Sequence, residues 1–292
     1  MTNKTKNILR GVALGLCLIP SMMLFTACGG QLDEQATCKT SKSYSASTAA
    51  EFDEETSKND QTYIDITGGY RITVDTSAEG YINTTGYETK YSVKNFSNAA
   101  IKLGENPGVA LRTTTSCNLV GVEGNITMES YLKDNNLYVH SLPTTITSNY
   151  IQTSIAEQKI MIEGKDVFST LEEIGGISDF TNLQSIMDFI KENEAEAKFE
   201  INKTGDNTGF KITFDNDFTY GTMANIVAYV NLRYDNMITE LKIEADYSTT
   251  TGAIQMQGKT ICTISSFSGE IEYPNFEGYT EGSISDIKGI IG

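Results

Sequence analysis

From Thr62 onward, apolar and polar residues alternate with a period of two. Ile64 and Ile66, then Tyr70, Ile72 and Val74, then Tyr87, Tyr91 and Val93 fall on common faces. Each run predicts a half-buried strand, because successive side chains of an extended chain point to opposite sides. The clearest hairpin is Ile126–Leu132, a turn at Lys133-Asp134-Asn135-Asn136, and Leu137–His140. Asp and Asn there tolerate the positive φ angles that a tight turn requires. A second hairpin is predicted from Tyr229 to Tyr247 around Asp235-Asn236. Its return strand sets Leu241, Ile243, Ala245 and Tyr247 against Glu240, Lys242, Glu244 and Asp246, so one face covers a core and the other meets water. The segments Thr260–Ile264 and Gly269–Tyr273 predict two further strands.

Between these blocks the period lengthens. Leu183, Ile186, Met187 and Ile190 follow i, i+3, i+4, i+7 behind the capping candidates Asp179 and Thr181, which predicts an amphipathic helix ending near Asn193. A shorter helix is predicted from Val167 to Ile174, capped by Asp166 and ended by Gly175-Gly176. Two helices set between antiparallel blocks define an α+β chain, with the helices against one face of a curved antiparallel sheet.

The N-terminus follows another pattern. Lys4, Lys6 and Arg10 precede an apolar stretch from Val12 to Phe25, which ends in Thr26-Ala27 directly before Cys28. This is the three-part layout of an export signal, and Pro20 and the shortness of the stretch argue against a membrane span. The run Leu24-Phe25-Thr26-Ala27-Cys28 resembles the lipobox of bacterial lipoproteins, with Phe25 where Leu is usual. The resemblance implies cleavage after residue 27 and a diacylglyceryl group on the Cys28 thiol, with acylation of the freed amine. Two or three acyl chains hold a protein at a membrane at about 0.8 kcal/mol per buried CH₂. Gly29 and Gly30 stand where many Gram-negative lipoproteins carry Asp, which favours a Gram-positive cell surface.

Charge narrows the partners. The 292-residue chain holds 22 Lys+Arg against 38 Asp+Glu, and residues 1–27 contribute three of the basic residues and no acidic one, leaving a net charge of −19 beyond the leader. With no basic cluster after the leader, nucleic acid is excluded as a partner, and anionic headgroups repel the body, so membrane contact falls to the anchor. Residues 28–61 are polar and acidic, with few apolar side chains, and are expected to form a flexible tether before a single domain over 62–280 and a tail at 281–292.

Beyond Cys28 lie Cys38, Cys117 and Cys262. Cys117 shares strand parity with Val109, Leu111 and Leu119, which predicts a buried thiol, and a Cys117–Cys262 disulfide suits an oxidising location. Cys38 falls in the tether.

The order of strands, central helices and strands, the phrase Tyr131-Leu132-Lys133-Asp134-Asn135-Asn136-Leu137-Tyr138, and the run from Val230 to the Pro274 region are similar to the LolA-like and mycobacterial LppX/LprG-like lipoprotein superfamily. The resemblance covers about residues 62–280. It implies an incomplete β-barrel whose concave face holds a lipid or other apolar ligand beneath closing helices, where Leu183, Ile186, Met187 and Ile190 would face either core or ligand.

Catalytic signals are weak. His140 is the only histidine and stands on a predicted strand without Cys, Asp or Glu at ligand spacing, so a solvated or hydrogen-bonded strand residue is expected. Gly252 and Gly258 before Lys259-Thr260 are one residue too far apart for a phosphate loop, and no helix pattern follows. No Gly-x-Ser-x-Gly elbow is present. Asp206, Asn207, Asp215, Asn216 and Asp217 lack calcium-loop spacing and read as turn residues. Glu192, Glu194, Glu196 and Glu200 read as a solvated run. Tyr63, Tyr70, Tyr81, Tyr87 and Tyr91 are expected to flank a core, with stacking against sugar rings as the alternative.

The expectation is a lipid-anchored, non-enzymatic lipoprotein on the extracytoplasmic face of the cell membrane, needing no cofactor and no metal. Its ligand would be a lipid or other apolar molecule. A tethered structural or protein-interaction module is the alternative, and a cell-wall or glycan hydrolase is the less supported third class.

Overall fold

The computed structural model describes residues 43–57, 69–84, 87–102, 108–119, 122–148, 151–163, 183–220, 222–235, 237–251 and 254–283. Among the described residues the fold is α+β, a large, mostly antiparallel sheet that does not close into a barrel, with two helices against its core-facing side.

The first short strand, β1 (Ser45–Ala46), precedes helix α1 (Ala49–Ser57). A long meander follows: β2 (Gly69–Thr84), β3 (Tyr87–Lys102), β4 (Gly108–Leu119), β5 (Val122–Lys133) and β6 (Asn136–Ser141). A small hairpin, β7 (Thr144–Ser148) and β8 (Ile151–Ile155), leads to β9 (Gln158–Glu163). After α2 (Leu183–Glu192) comes a second meander: β10 (Ala197–Thr204), β11 (Asn207–Phe214), β12 (Met223–Leu232), β13 (Ile238–Thr251) and β14 (Ile254–Ser266). The closing β15 (Thr280–Glu281) runs parallel to β9. Across the sheet the order is β1-β10-β11-β12-β13-β14-β2-β3-β4-β5-β6-β9-β15, so β14 and β2 join the two meanders.

The predicted hairpins form as expected. Asp134 and Asn135 take φ of 51° and 61° between β5 and β6. On β13, Leu241, Ala245 and Tyr247 are buried, while Lys242 and Glu244 pair on the other side. At the seam between the meanders, Gly80 and Gly258 lie on the core-facing side. A Cβ there would sit 1.9 Å from the Gln255 carbonyl oxygen or 2.0 Å from that of Ser77. Strands can approach this closely only where no side chain intervenes.

The main core fills the space between the two helices and strands β10–β14 and β2. Phe52 of α1 and Met187 and Ile190 of α2 pack there with Phe199, Phe210, Ile212, Val230 and Leu241. A smaller cluster, Met128 and Val139, lies further along the same face.

Five expectations need correction. The tether does not extend over all of 28–61: within it, β1 pairs with β10, and Phe52 of α1 is 1% exposed in the core. Thr48 caps the helix by accepting the Glu51 amide at 3.1 Å, so the low apolar content is offset by local capping and one well-placed ring. Gly269–Tyr273 forms no strand but belongs to a strap, residues 267–283, that crosses the outward face. Phe267 lies under Arg71 of β2, Glu270 pairs with Lys102 of β3, and the Tyr273 hydroxyl donates to the Leu132 carbonyl of β5. Phe276 stacks on Tyr138 of β6 at 3.8 Å, and β15 then joins β9, so the domain runs past residue 280. Cys117 has the predicted parity, opposite Val93, yet it is exposed. Cys117 and Cys262 are both free thiols. They sit on β4 and β14 with β2 and β3 between, about 14 Å apart in strand spacing alone, well beyond disulfide reach. The helix predicted over 167–174 and the caps Asp179 and Thr181 lie outside the described residues.

Candidate functional site

Strand alternation and register decide what the concave, core-facing side presents. Ile264, Ile72, Ala99, Leu111, Ser130, Val139 and Ile160 form one cross-strand row, which is mainly hydrocarbon. Two neighbouring rows change character. Thr260, Thr76, Asn95 and Thr115 stand side by side in one, and Ser97 and Thr113 in the next. Thr76, Asn95, Ser97, Thr113 and Thr260 are all buried. They satisfy one another: Thr76 and Thr260 hydroxyls meet at 3.1 Å, Asn95 donates to Thr115 at 2.8 Å, and Ser97 bonds Asn95 at 3.2 Å and Thr113 at 2.9 Å. Beyond this belt the face becomes small and apolar again, with Ala78, Val93, Gly80 and Met256. The concave side is therefore a polar belt between two apolar zones.

The helix residues singled out from the sequence occupy a different part of that face. Met187 and Ile190 are fully buried in the main core, where Phe189 of the same helix meets Phe214 and Tyr220 at 5.2 Å. The side chains of Leu183 and Ile186 lie outside the described residues, as does Cys28. Sequence reading missed the belt because alternating Thr and Ser on a strand read equally well as solvent-facing.

On the outward face, two contiguous hollows lie over β2, β3, β13 and β14. One of about 610 Å³ is lined by Ser77, Ser92, Lys94, Asp246 and Lys259, with Thr222 and Ala224 at its rim. A smaller one of about 170 Å³ is lined by Tyr81, Lys90, Thr250 and Gln255. Glu79, Ser248 and Gln257 border both, which makes them one groove. Lys90 pairs with Glu79 at 3.2 Å and Lys259 with Asp246 at 3.3 Å.

His140 also lies on the outward face, beside the strap. Its Nε2 meets Glu157 at 2.6 Å and its Nδ1 meets Glu129 at 3.4 Å, in a row that continues to Arg112 and Lys159. Lys159 and then His140 hold the Glu157 carboxyl below its usual range. The imidazole is thus hydrogen-bonded to Glu157 within a cross-strand row of polar side chains, as expected of a hydrogen-bonded strand histidine. Cys262 is buried on the concave side, and desolvation pushes its thiol up to about 12, which removes it from nucleophilic chemistry. Among the described residues, no group of three or more His, Cys, Asp or Glu is placed to hold a metal ion.

No protein-family profile and no curated protein sequence matches the chain. Seven chains of solved structures match it in a comparison of structures. One is the translocator domain of the autotransporter NalP from Neisseria meningitidis, at 7% identity and a TM-score of 0.23, covering 75% of this chain and 93% of that one. A β-barrel-like protein of the DUF1849 domain from Brucella abortus aligns at 8% identity and a TM-score of 0.25, over 68% of this chain and 98% of the other. A DUF1329 family protein from Desulfovibrio piger aligns at 9% identity and a TM-score of 0.16, over 71% of this chain and 90% of the other.

Proposed function

We propose that the protein is a lipid-anchored, extracytoplasmic binding module without enzymatic activity. Acyl chains on Cys28 hold it at the membrane, and its half-barrel takes an amphiphilic lipid or similar molecule on the concave face. One observation carries the reading: the buried belt of Thr76, Asn95, Ser97, Thr113 and Thr260 lies between two apolar zones. Burying hydroxyls in a purely structural core gives no advantage over hydrocarbon, since each must recover its lost hydration through hydrogen bonds. A face that is apolar, polar and apolar again matches a molecule with the same sequence of zones. The lipobox-like run before Cys28 and the resemblance to lipid-carrying lipoproteins support the same reading.

Native mass spectrometry of protein extracted from membranes tests it. A co-purifying lipid of defined mass is expected, and a Thr76→Val, Thr260→Val double variant is expected to fold but lose it. Wild-type protein with no added mass would sink the ligand and leave a tethered interaction module. The anchor is read separately: metabolic palmitate should label wild-type protein, and Cys28→Ala should be unlabelled and released from membranes.

A further inference from the structure

The outward groove differs from the belt in every respect that selects a ligand. Its side chains come from cross-strand rows that alternate with the core-facing ones, so they point away from the half-barrel interior. The row Ser92, Glu79, Gln257, Ser248 forms its middle, with Lys90, Tyr81, Gln255, Thr250 on one side and Lys94, Ser77, Lys259, Asp246 on the other. Two aromatic rings stand exposed on this face, Tyr81 at 43% and Phe96 at 42%. Six residues of β2 separate their rows, about 20 Å along the strand. The strap leaves this area uncovered, because its contacts run from Arg71 and Lys102 toward β9.

We propose that this groove binds a neutral oligosaccharide chain. Two of its three lysines are matched by carboxylates, in the Lys90–Glu79 and Lys259–Asp246 pairs, which leaves a single positive charge, Lys94, in excess, so no strong field selects an ionic ligand. What remains is a set of groups that both donate and accept, the amides of Gln255 and Gln257 and the hydroxyls of Ser77, Ser92, Ser248 and Thr250. A sugar hydroxyl likewise donates and accepts. The exposed Tyr81 ring at the groove's end offers an apolar face to the C–H side of a sugar ring, with its hydroxyl in water. The length suits several linked rings, and the open shape suits a chain entering from either end.

The test is affinity electrophoresis and titration calorimetry of the full acylated protein, held in a detergent without a sugar headgroup. The probes are soluble glucan, mannan, galactomannan and xylan, with neutral wall polysaccharide from the producing cell as a separate arm. Retardation by at least one probe is expected, and the arm that responds tells an external polysaccharide from the cell's own. Tyr81→Ala and Gln257→Ala should each weaken binding about threefold to tenfold, while Tyr81→Phe stays near wild type. Failure of every probe, or variants that bind as wild type with unchanged circular dichroism, overturns the proposal. The lipid measured by native mass spectrometry should be unaffected by these variants, so the two readings stand or fall apart.

Discussion

Phe52→Ala tests whether the start of the folded domain lies where the packing puts it. The ring is 1% exposed, meets Phe210 edge-on at 5.1 Å and Phe199 at 5.5 Å, and is the largest buried group of α1. Truncating such a ring costs about 3–5 kcal/mol in transfer and cavity terms. The helix spans nine residues, too short to persist alone, so it will undock rather than roof an empty cavity. That sets a ceiling at its docking free energy, because beside the small buried contacts of Ala49 and Thr56 the remaining ties are the ion pairs of Lys203 with Glu51 and Glu55 and of Lys191 with Asp53. Each contributes at most about 1 kcal/mol. The expected loss is therefore near the lower end, about 3 kcal/mol, or a shift of about 1 M in urea midpoint at m of about 3 kcal/mol/M. Unfolding is followed by circular dichroism, since the chain has no Trp. Limited proteolysis should cut the variant at residues 49–57 well before global unfolding. An unchanged midpoint, with wild-type protein cut there at the rate of an unstructured peptide, would refute the docking and restore the longer tether.

Other outcomes follow from the same geometry. Gly258→Ala should lower stability by about 1–3 kcal/mol in thermal denaturation, because its Cβ would collide with the Ser77 carbonyl. Mass-mapped alkylation of native protein should modify Cys117 quickly and Cys262 only on unfolding, since burial holds the Cys262 thiol near a pKa of about 12. Acid should loosen the surface network. Glu51, Glu157 and Glu200 have carboxyls held below 4.5, by Ser47 and Lys203, by Lys159 and His140, and by Lys211 and Lys198 respectively. A depressed carboxylate contributes stability that is complete above its unfolded pKa and is lost as pH falls through the folded one. Urea midpoints should thus be flat above about pH 5 and decline below about 4.5, and a decline beginning near pH 7 would contradict this.

Much of the sheet was legible because its signal is local. The hairpin around Asp134-Asn135 and the two-faced strand at 241–247 required only turn chemistry and period-two alternation. The α2 stripe required only i, i+3, i+4 spacing, although whether Met187 and Ile190 meet protein or ligand depends on residues distant in sequence. Helix α1 had a legible signature too, Thr48-Ala-Ala-Glu51, a capping-box spacing masked by the acidic composition around it. The strap was misread because Gly269–Tyr273 has strand composition, and composition cannot distinguish pairing at an edge from lying across a face.

The chain alone thus determined the charge, the strand periods and the central amphipathic helix, since none of them depends on contacts between distant segments. Only the tertiary structure decided which alternating face was inside, that buried hydroxyls of β14, β2, β3 and β4 align into one belt, and that polar residues of β2, β3, β13 and β14 share an outward groove. Those arrangements depend on register between strands up to about 180 residues apart, as in the Thr76–Thr260 pair. Sequence periodicity fixes a strand's two faces but contains no term for its partner or for what covers either face.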